Sequence, residues 1–212
     1  MKAILAILGL AVAFIALSVF VAGTKKLNPR PQDSQGQSSP EPPPSQTKPA
    51  DAKPTEFIAP KEGMVTAELK FKGSEPMTIE FYPKAAPQSV AQITGLIKKG
   101  FYNGILVHRI LDGTVIQFGK GGTKTQGVNA PEVDEGIPAL KFEGDNKLPH
   151  VLGAVALART NDMDSATSQL FIDMKEMPMW NGQYCVIGRV VKGTDEISKV
   201  KVGDAIENFK IK

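Results

Sequence analysis

From residue 64 onward, apolar and polar side chains alternate with a period of two, which is the pattern of a β-strand with one buried face. Two such segments, residues 65–71 and 77–81, are separated by a Gly-Ser turn and predict a β-hairpin. Six further short apolar runs follow, at residues 104–110, 115–118, 153–157, 168–173, 184–191 and 205–211. Because strands do not alternate regularly with helices, this succession predicts a mainly β barrel or sandwich.

Only two helices are predicted among these strands. Apolar residues recur at helical spacing over residues 90–97, and Pro87 suits the first turn of that helix. A shorter helix is expected at residues 193–200. The stretch 118–152 is rich in Gly, Pro and Asn and is expected to form long irregular loops, which in a compact domain are usually functional.

The first 61 residues follow a different pattern. Residues 3–23 contain no charged side chain, and as a helix they are long enough to cross a bilayer core of about 30 Å. The run predicts a transmembrane anchor or a signal peptide over residues 1–23, and Val21-Ala22-Gly23 is a candidate cleavage site. Residues 24–61 hold nine of the 16 prolines and predict a disordered, Pro-rich linker, with a docking site for proline-recognising domains as the alternative.

The remaining residues, 62–212, are expected to form one folded domain that lies outside the cytoplasm, in the periplasm or at the cell surface. A short N-terminal tail ahead of a first apolar segment is typical of secretory signals and signal anchors. The protein is therefore expected to be secreted or to be attached to the membrane through residues 3–23. The single cysteine excludes an intramolecular disulfide, and Cys185, inside an apolar run, is interpreted as a core residue.

The charge distribution argues against nucleic acid as a partner. The net charge of +3 gives the chain a basic character, but the first 61 residues hold seven Lys+Arg against four Asp+Glu, and the rest holds 18 of each. The positive excess therefore lies in the first 61 residues, ahead of the expected folded domain. Neither a basic stripe interleaved with aromatic residues nor a Gly-rich phosphate loop is present, so no nucleic-acid binding is expected.

Four blocks of the sequence resemble the signature segments of the cyclophilins. They read F-Y-N-G-I-L-V-H-R-I at residues 101–110, Q-F-G at 117–119, G-A-V-A-L-A-R-T followed by S-A-T-S-Q-L-F-I within 153–172, and G-Q-Y-C-V-I-G-R-V at 182–190. The blocks stand in the family's order and spacing across about residues 62–212, and bacterial cyclophilins have the most similar forms. The resemblance carries weight because it is distributed over four blocks.

The resemblance implies a closed eight-stranded antiparallel β-barrel capped by two α-helices, where the strand count alone does not distinguish a barrel from a sandwich. It also implies peptidyl-prolyl cis-trans isomerase (rotamase) activity on proline-containing polypeptides, and so a role in protein folding. Rotation about a peptide bond breaks no covalent bond, so neither a metal nor a cofactor is expected. We expect the protein to act as a monomer.

The same matching implies which residues form the site. Arg109 is expected to be the catalytic hydrogen-bond donor, Gln117 to hold the substrate backbone, and Phe171 to form the floor of the proline pocket. Other positions are implied to contact or support the substrate: His108, Val115, Ala158, Arg159, Thr160, Gln169, Met179, Trp180 and Tyr184. Of these, His108 is interpreted as structural support beside Arg109 rather than as an acid or base.

The sequence departs from the family pattern at several of these positions. Thr114 and Val115 replace the aromatic and methionine walls of the proline pocket, and Lys120 stands where the family has an acidic residue. Met179 lies at the family's tryptophan position, with Trp180 at its leucine. The smaller wall predicts lower activity than that of typical members. A second hypothesis, a tethered module that binds proline peptides with little catalysis, therefore stays open.

Overall fold

A computed structural model describes residues 55–60, 62–111, 113–132 and 135–212. Eight strands are found there: β1 (Val65–Phe71), β2 (Met77–Phe81), β3 (Arg109–Leu111), β4 (Val115–Phe118), β5 (Ala154–Leu157), β6 (Leu170–Asp173), β7 (Val186–Lys192) and β8 (Ile206–Ile211). They form one antiparallel sheet in the order β3-β4-β6-β5-β7-β2-β1-β8. The predicted hairpin is confirmed, since β1 pairs with β2 from Val65 opposite Phe81 to Leu69 opposite Met77.

The expected closed barrel is wrong, because the sheet is open between its edge strands β3 and β8 over the described residues. The segments just ahead of these two strands are joined only by an isolated bridge between Leu106 and Ala205 and by nearby backbone hydrogen bonds. At His108 the chain leaves this partner, since the His108 N–H donates to the carbonyl of Gln117 on β4 at 3.2 Å. Strand β3 is consequently only three residues long and does not continue the ladder to β8.

The helices differ from the expected pair. Helix α1 (Pro87–Lys98) is confirmed and buries Val90, Ile93 and Ile97 against the main core. A four-residue helix, α2 (Thr123–Gln126), interrupts the predicted loop region. The second predicted helix is wrong as an α-helix, since the segment forms a 3-10 helix at Thr194–Lys199. Three further 3-10 turns lie at Gly144–Asn146, Met163–Ser165 and Pro178–Trp180.

Alternate residues of the central strands enter two different apolar clusters. The main core includes Ile116 and Ile172, packed with α1 and the β1–β2 hairpin. The opposite face of the same strands carries a second cluster around Phe171, which contains Tyr82, Val115, Leu148, Val151, Ala154, Ala156, Ala158, Met177, Trp180, Tyr184 and Val186. Strands β4, β5 and β6 are therefore buried on both faces. The candidate site lies on the face of the second cluster.

The described end of the predicted linker contacts this domain. The Thr55 N–H donates to Glu176 Oε1 at 2.9 Å, and the Phe57 ring lies 5.7 Å from the ring of Tyr82 and 5.0 Å from the guanidinium carbon of Arg189. Residues 1–54, which include the predicted anchor, lie outside the described residues. Within the described ranges, no helix has both the length and the apolarity that crossing a bilayer requires.

Candidate active site

Arg109, Gln117 and Phe171 occupy one row that runs across three strands. Arg109 on β3 is paired with Gln117 on β4, and Gln117 is paired with Phe171 on β6. Ala156 on β5 continues the row beside Phe171. Side chains at directly opposed positions of antiparallel strands share one face, with Cβ atoms about 4.5–5.5 Å apart. The three residues implied to be catalytic are thus brought together by strand register.

The polar members of this row are hydrogen-bonded to one another. Arg109 is half-buried and its Nη1 donates to Gln117 Oε1 at 3.4 Å. Gln117 is buried, and its Nε2 donates to Gln169 Oε1 at 3.0 Å. A guanidinium carries five N–H donors, so the bond to Gln117 orients Arg109 without exhausting its capacity to bind a substrate.

Phe171 is held by aromatic rings on several sides. The ring of His150 stacks on it at 5.8 Å with an interplanar angle of 9°. Trp180 and Tyr184 meet Phe171 edge-to-face, with centroid separations of 5.7 and 5.4 Å. Ala156 and Ala158 on the neighbouring chain segment are buried in the same cluster as Phe171. The result is an apolar platform on β6, in the same cross-strand row as Arg109.

The His150 ring that stacks on Phe171 also forms a buried pair with Asp173. His150 Nδ1 is 2.8 Å from Asp173 Oδ2, and both side chains are fully buried. Burial raises the pKa of Asp173 to about 6, although its bond to His150 opposes the shift. His150 lies in the irregular segment ahead of β5, and its ring binds a carboxylate. The position of this aspartate, at the end of an apolar run and two residues after Phe171, is a sequence signal of a buried polar group but does not name its partner.

His108 lies next to the row, and its electrostatic surroundings keep it neutral. Burial, with a further contribution from the charge of Lys120, lowers the pKa of His108 to about 4. Its Nδ1 is buried without a hydrogen-bond partner among the described residues. A histidine that is neutral at pH 7 adds no positive charge beside Arg109.

The other expected site residues divide into a buried set and a rim. Val115, Ala158, Trp180 and Tyr184 are buried in the second cluster with Phe171, and Met179 packs against that cluster while half-exposed.

At the rim, the guanidinium carbon of Arg159 lies 4.9 Å from the Tyr184 ring centroid, and Arg159 Nη2 donates to the carbonyl of Gln183 at 2.7 Å. Thr160 bonds to Ser165 in the following turn, both through its N–H and between the two hydroxyls, each at 2.9 Å. Thr160 is therefore bonded within its own turn, and these bonds do not reach the Arg109 row.

Comparison with known proteins agrees with this geometry. The sequence model of the cyclophilin type peptidyl-prolyl cis-trans isomerase/CLD family matches residues 66–212. A probable peptidyl-prolyl cis-trans isomerase of Brucella abortus (strain 2308) is 40% identical over 152 residues, which cover 69% of this chain and 76% of the relative. Peptidyl-prolyl cis-trans isomerase B of Escherichia coli (strain K12) is 32% identical over 135 residues, covering 59% of this chain and 77% of the relative.

Solved structures show the same fold at lower sequence identity. A Cryptosporidium parvum cyclophilin type peptidyl-prolyl cis-trans isomerase superposes with a TM-score of 0.60 at 18% identity, covering 71% of this chain and 98% of that one. A cyclophilin from Hirschia baltica gives a TM-score of 0.59 at 23% identity, covering 68% and 72%. The family match spans most of the chain and includes every strand but the first residue of β1, so this chain belongs to the cyclophilin family of peptidyl-prolyl cis-trans isomerases.

Proposed function

We propose that Arg109 accelerates rotation about Xaa-Pro bonds by donating a hydrogen bond to the proline nitrogen of the twisted amide. Resonance gives the planar peptide bond a rotation barrier of about 18–20 kcal/mol. As the bond twists, resonance is lost and the nitrogen regains a lone pair that accepts a hydrogen bond. A donor that binds this state better than either planar isomer lowers the barrier. The reaction forms and breaks no covalent bond, so the proposal requires no nucleophile.

The observation that carries the proposal is the Arg109–Gln117–Phe171 row. Neighbouring strands lie about 4.8 Å apart, so the backbones at Arg109 and Phe171 are separated by about 10 Å across two strand spacings. A proline ring seated on Phe171 leaves its preceding backbone over Gln117, with the amide nitrogen facing Arg109. Another crystal structure of the Cryptosporidium relative was obtained in the presence of the dipeptide Ala-Pro. That ligand supports proline-containing polypeptides as the substrate class here.

The experiment is an isomerisation assay of a short Xaa-Pro peptide with the wild-type protein and Arg109→Ala. A hydrogen bond from a charged donor contributes about 1.5–3 kcal/mol. Its loss is therefore expected to lower kcat/KM by about 10- to 150-fold, while the peptide affinity measured by calorimetry changes little. Arg189→Ala is the matched control, since this half-buried arginine lies on β7 and stacks on Phe57 instead.

The second candidate function is a module that binds proline peptides without useful catalysis. The observation that favours it is the small wall at Val115, which is buried in the second cluster beside Phe171. If wild type and Arg109→Ala bind the peptide equally and are equally inactive, the protein is a binder. If isomerisation collapses only in the variant, the binder hypothesis fails.

We also propose that the protein is a monomer that assists folding outside the cytoplasm, attached to the membrane through residues 3–23 or released after cleavage. The uncharged run and the Pro-rich segment after it support this placement. Protease accessibility in intact cells and extraction of membranes at alkaline pH test it. A protein that stays protected from external protease and fully soluble contradicts it.

A further inference from the structure

We propose that Glu132 is a positioning residue that sets the orientation of the Gln169 and Gln117 side-chain amides, and through them the guanidinium of Arg109. The inference rests on the proposed role of Arg109 in isomerisation. Glu132 lies in the irregular stretch after β4, which sequence patterns did not connect with the site.

A continuous chain of hydrogen bonds joins Glu132 to Arg109. Glu132 Oε2 accepts from Gln169 Nε2 at 2.8 Å. Gln169 Oε1 accepts from Gln117 Nε2 at 3.0 Å, and Gln117 Oε1 accepts from Arg109 Nη1 at 3.4 Å. From Arg109 to Glu132, each side chain therefore donates a hydrogen bond to the next one in the series.

The chemistry of the two ends determines this order. An ionised carboxylate only accepts hydrogen bonds and a guanidinium only donates them. A glutamine amide presents an acceptor and a donor of nearly equal size, so either orientation fits the same space. With Glu132 at one end, Gln169 must present its NH2 there and its oxygen to Gln117. Gln117 must then present its oxygen to Arg109, as the guanidinium requires.

Lys120 holds the carboxylate in place. Its Nζ lies 2.9 Å from Glu132 Oε1 and donates to the carbonyl of Ala130 at 2.9 Å. The Lys120 side chain is 12% exposed, whereas that of Glu132 is 41% exposed. The half-buried ammonium of Lys120 therefore binds Glu132 Oε1, while Oε2 is bonded to Gln169. Lys120, which stands where the family has an acidic residue, thus has a structural role, and Glu132 is its counter-charge.

The decisive variant is Glu132→Lys, which places a donor where the chain needs an acceptor. Gln169 must then turn its oxygen toward residue 132 and its NH2 toward Gln117, so that Gln117 presents NH2 to the guanidinium. Two donors then face each other at Arg109. We expect kcat for an Xaa-Pro peptide to fall about fivefold or more, the loss of one oriented hydrogen bond, with peptide affinity changed less than twofold.

Three variants serve as controls. Glu132→Gln retains an oxygen that accepts from Gln169, so it is expected to keep kcat within about twofold of wild type. Glu207→Lys reverses the charge of a glutamate on β8 that pairs with Lys70 at 3.1 Å, and it is expected to change nothing in the assay. In a Gln117→Ala background the chain is already broken, so Glu132→Lys is expected to have no further effect on kcat.

Nuclear magnetic resonance gives a readout that a general loss of stability does not move. The side-chain NH2 signals of Gln117 and Gln169 and the Nε–H signal of Arg109 are expected to shift in Glu132→Lys, and to stay close to wild type in Glu132→Gln. The inference is overturned if Glu132→Lys matches Glu207→Lys in kcat, if Glu132→Gln loses as much activity as Glu132→Lys, or if the loss persists in the Gln117→Ala background.

Measuring Arg109→Ala in parallel separates this inference from the proposed function. If Arg109→Ala retains full isomerisation, the proposed catalytic role of Arg109 fails. If Arg109→Ala is inactive and Glu132→Lys is unaffected, only the positioning role of Glu132 fails.

Discussion

Replacing only one residue of the buried His150–Asp173 pair is expected to destabilise the domain at least as much as replacing both residues together. The two side chains are fully buried and bonded at 2.8 Å. Removing one partner of a buried pair leaves the other with an uncompensated polar or charged group, at a cost of about 3–5 kcal/mol. Replacing both by apolar residues of similar size is often close to neutral, because no buried polar group is left without a partner.

The experiment is a double-mutant cycle with Asp173→Leu, His150→Phe and the combined variant. Phenylalanine retains an aromatic ring where His150 stacks on Phe171 with an interplanar angle of 9°. We expect each single change to lower the free energy of unfolding by about 3 kcal/mol or more, and the double change to cost no more than one single change. The coupling energy is therefore expected to reach about 3 kcal/mol.

Urea unfolding followed by tryptophan fluorescence measures these costs. Trp180 is the only tryptophan in the chain, and its ring centroid lies 5.9 Å from that of His150. Circular dichroism supplies an independent probe of the same transition, and coincident curves establish two-state unfolding. Strictly additive costs would refute the reasoning, because they would mean that each side chain stabilises the domain without the other.

Three further predictions concern protonation, the pocket wall and the backbone. Burial raises the pKa of Asp173 from 3.8 to about 6. The buried carboxylate therefore destabilises the fold fully above about pH 6, and this effect decreases as the group is protonated on acidification. Wild type is expected to gain stability relative to Asp173→Asn when the pH is lowered from 7 to 4.5. An unchanged difference in urea midpoints would contradict this. Val115→Met adds about one methylene to the pocket wall and is expected to raise kcat/KM about fourfold in the peptide assay; no increase would show that the wall does not contact proline. Gly119→Ala is expected to lower the free energy of unfolding, measured in urea, by about 3 kcal/mol or more. A Cβ at residue 119 would lie 2.5 Å from the Ser168 carbonyl oxygen, and the backbone φ there is +105°. The control Gly182→Ala is expected to cost about 1 kcal/mol, because φ is +73° but the space around a Cβ is open.

The strands were predictable because a period-two pattern reports directly which side chains are buried. In β1, the alternating Ala67, Leu69 and Phe71 are all fully buried. The helix type of the second predicted helix, at Thr194–Lys199, was not predictable, because one turn of apolar spacing fits an α-helix and a 3-10 helix equally well. Barrel closure depends on backbone bonds between residues 104–107 and 203–206, about a hundred positions apart, and no side-chain pattern encodes whether that ladder continues.

The site was predictable only in part for a similar reason. Arg109 and Gln117 stand in motifs that resemble a family, and strand register then places them together. Glu132 lies in a stretch without periodicity, so nothing in the sequence relates it to Gln169. The partner of His150 stands 23 positions away, and only the position of Asp173 on the same face as Phe171 hinted at a buried polar group there.

The arrangement of two clusters on one sheet separates two kinds of contribution to catalysis. Ile116 and Ile172 are the neighbours of Gln117 on β4 and of Phe171 on β6, and both are fully buried in the main core. The backbone under Gln117 and Phe171 is therefore held from the opposite face. We expect a wall residue such as Val115 to touch the proline ring, which is present in the cis, trans and twisted states alike, so that its contacts stabilise all three and act on KM. In the proposed mechanism the hydrogen bond from Arg109 forms fully only with the twisted amide, so it acts on kcat. The small wall of this chain is therefore expected to weaken substrate binding while leaving the chemical step to the Arg109 row.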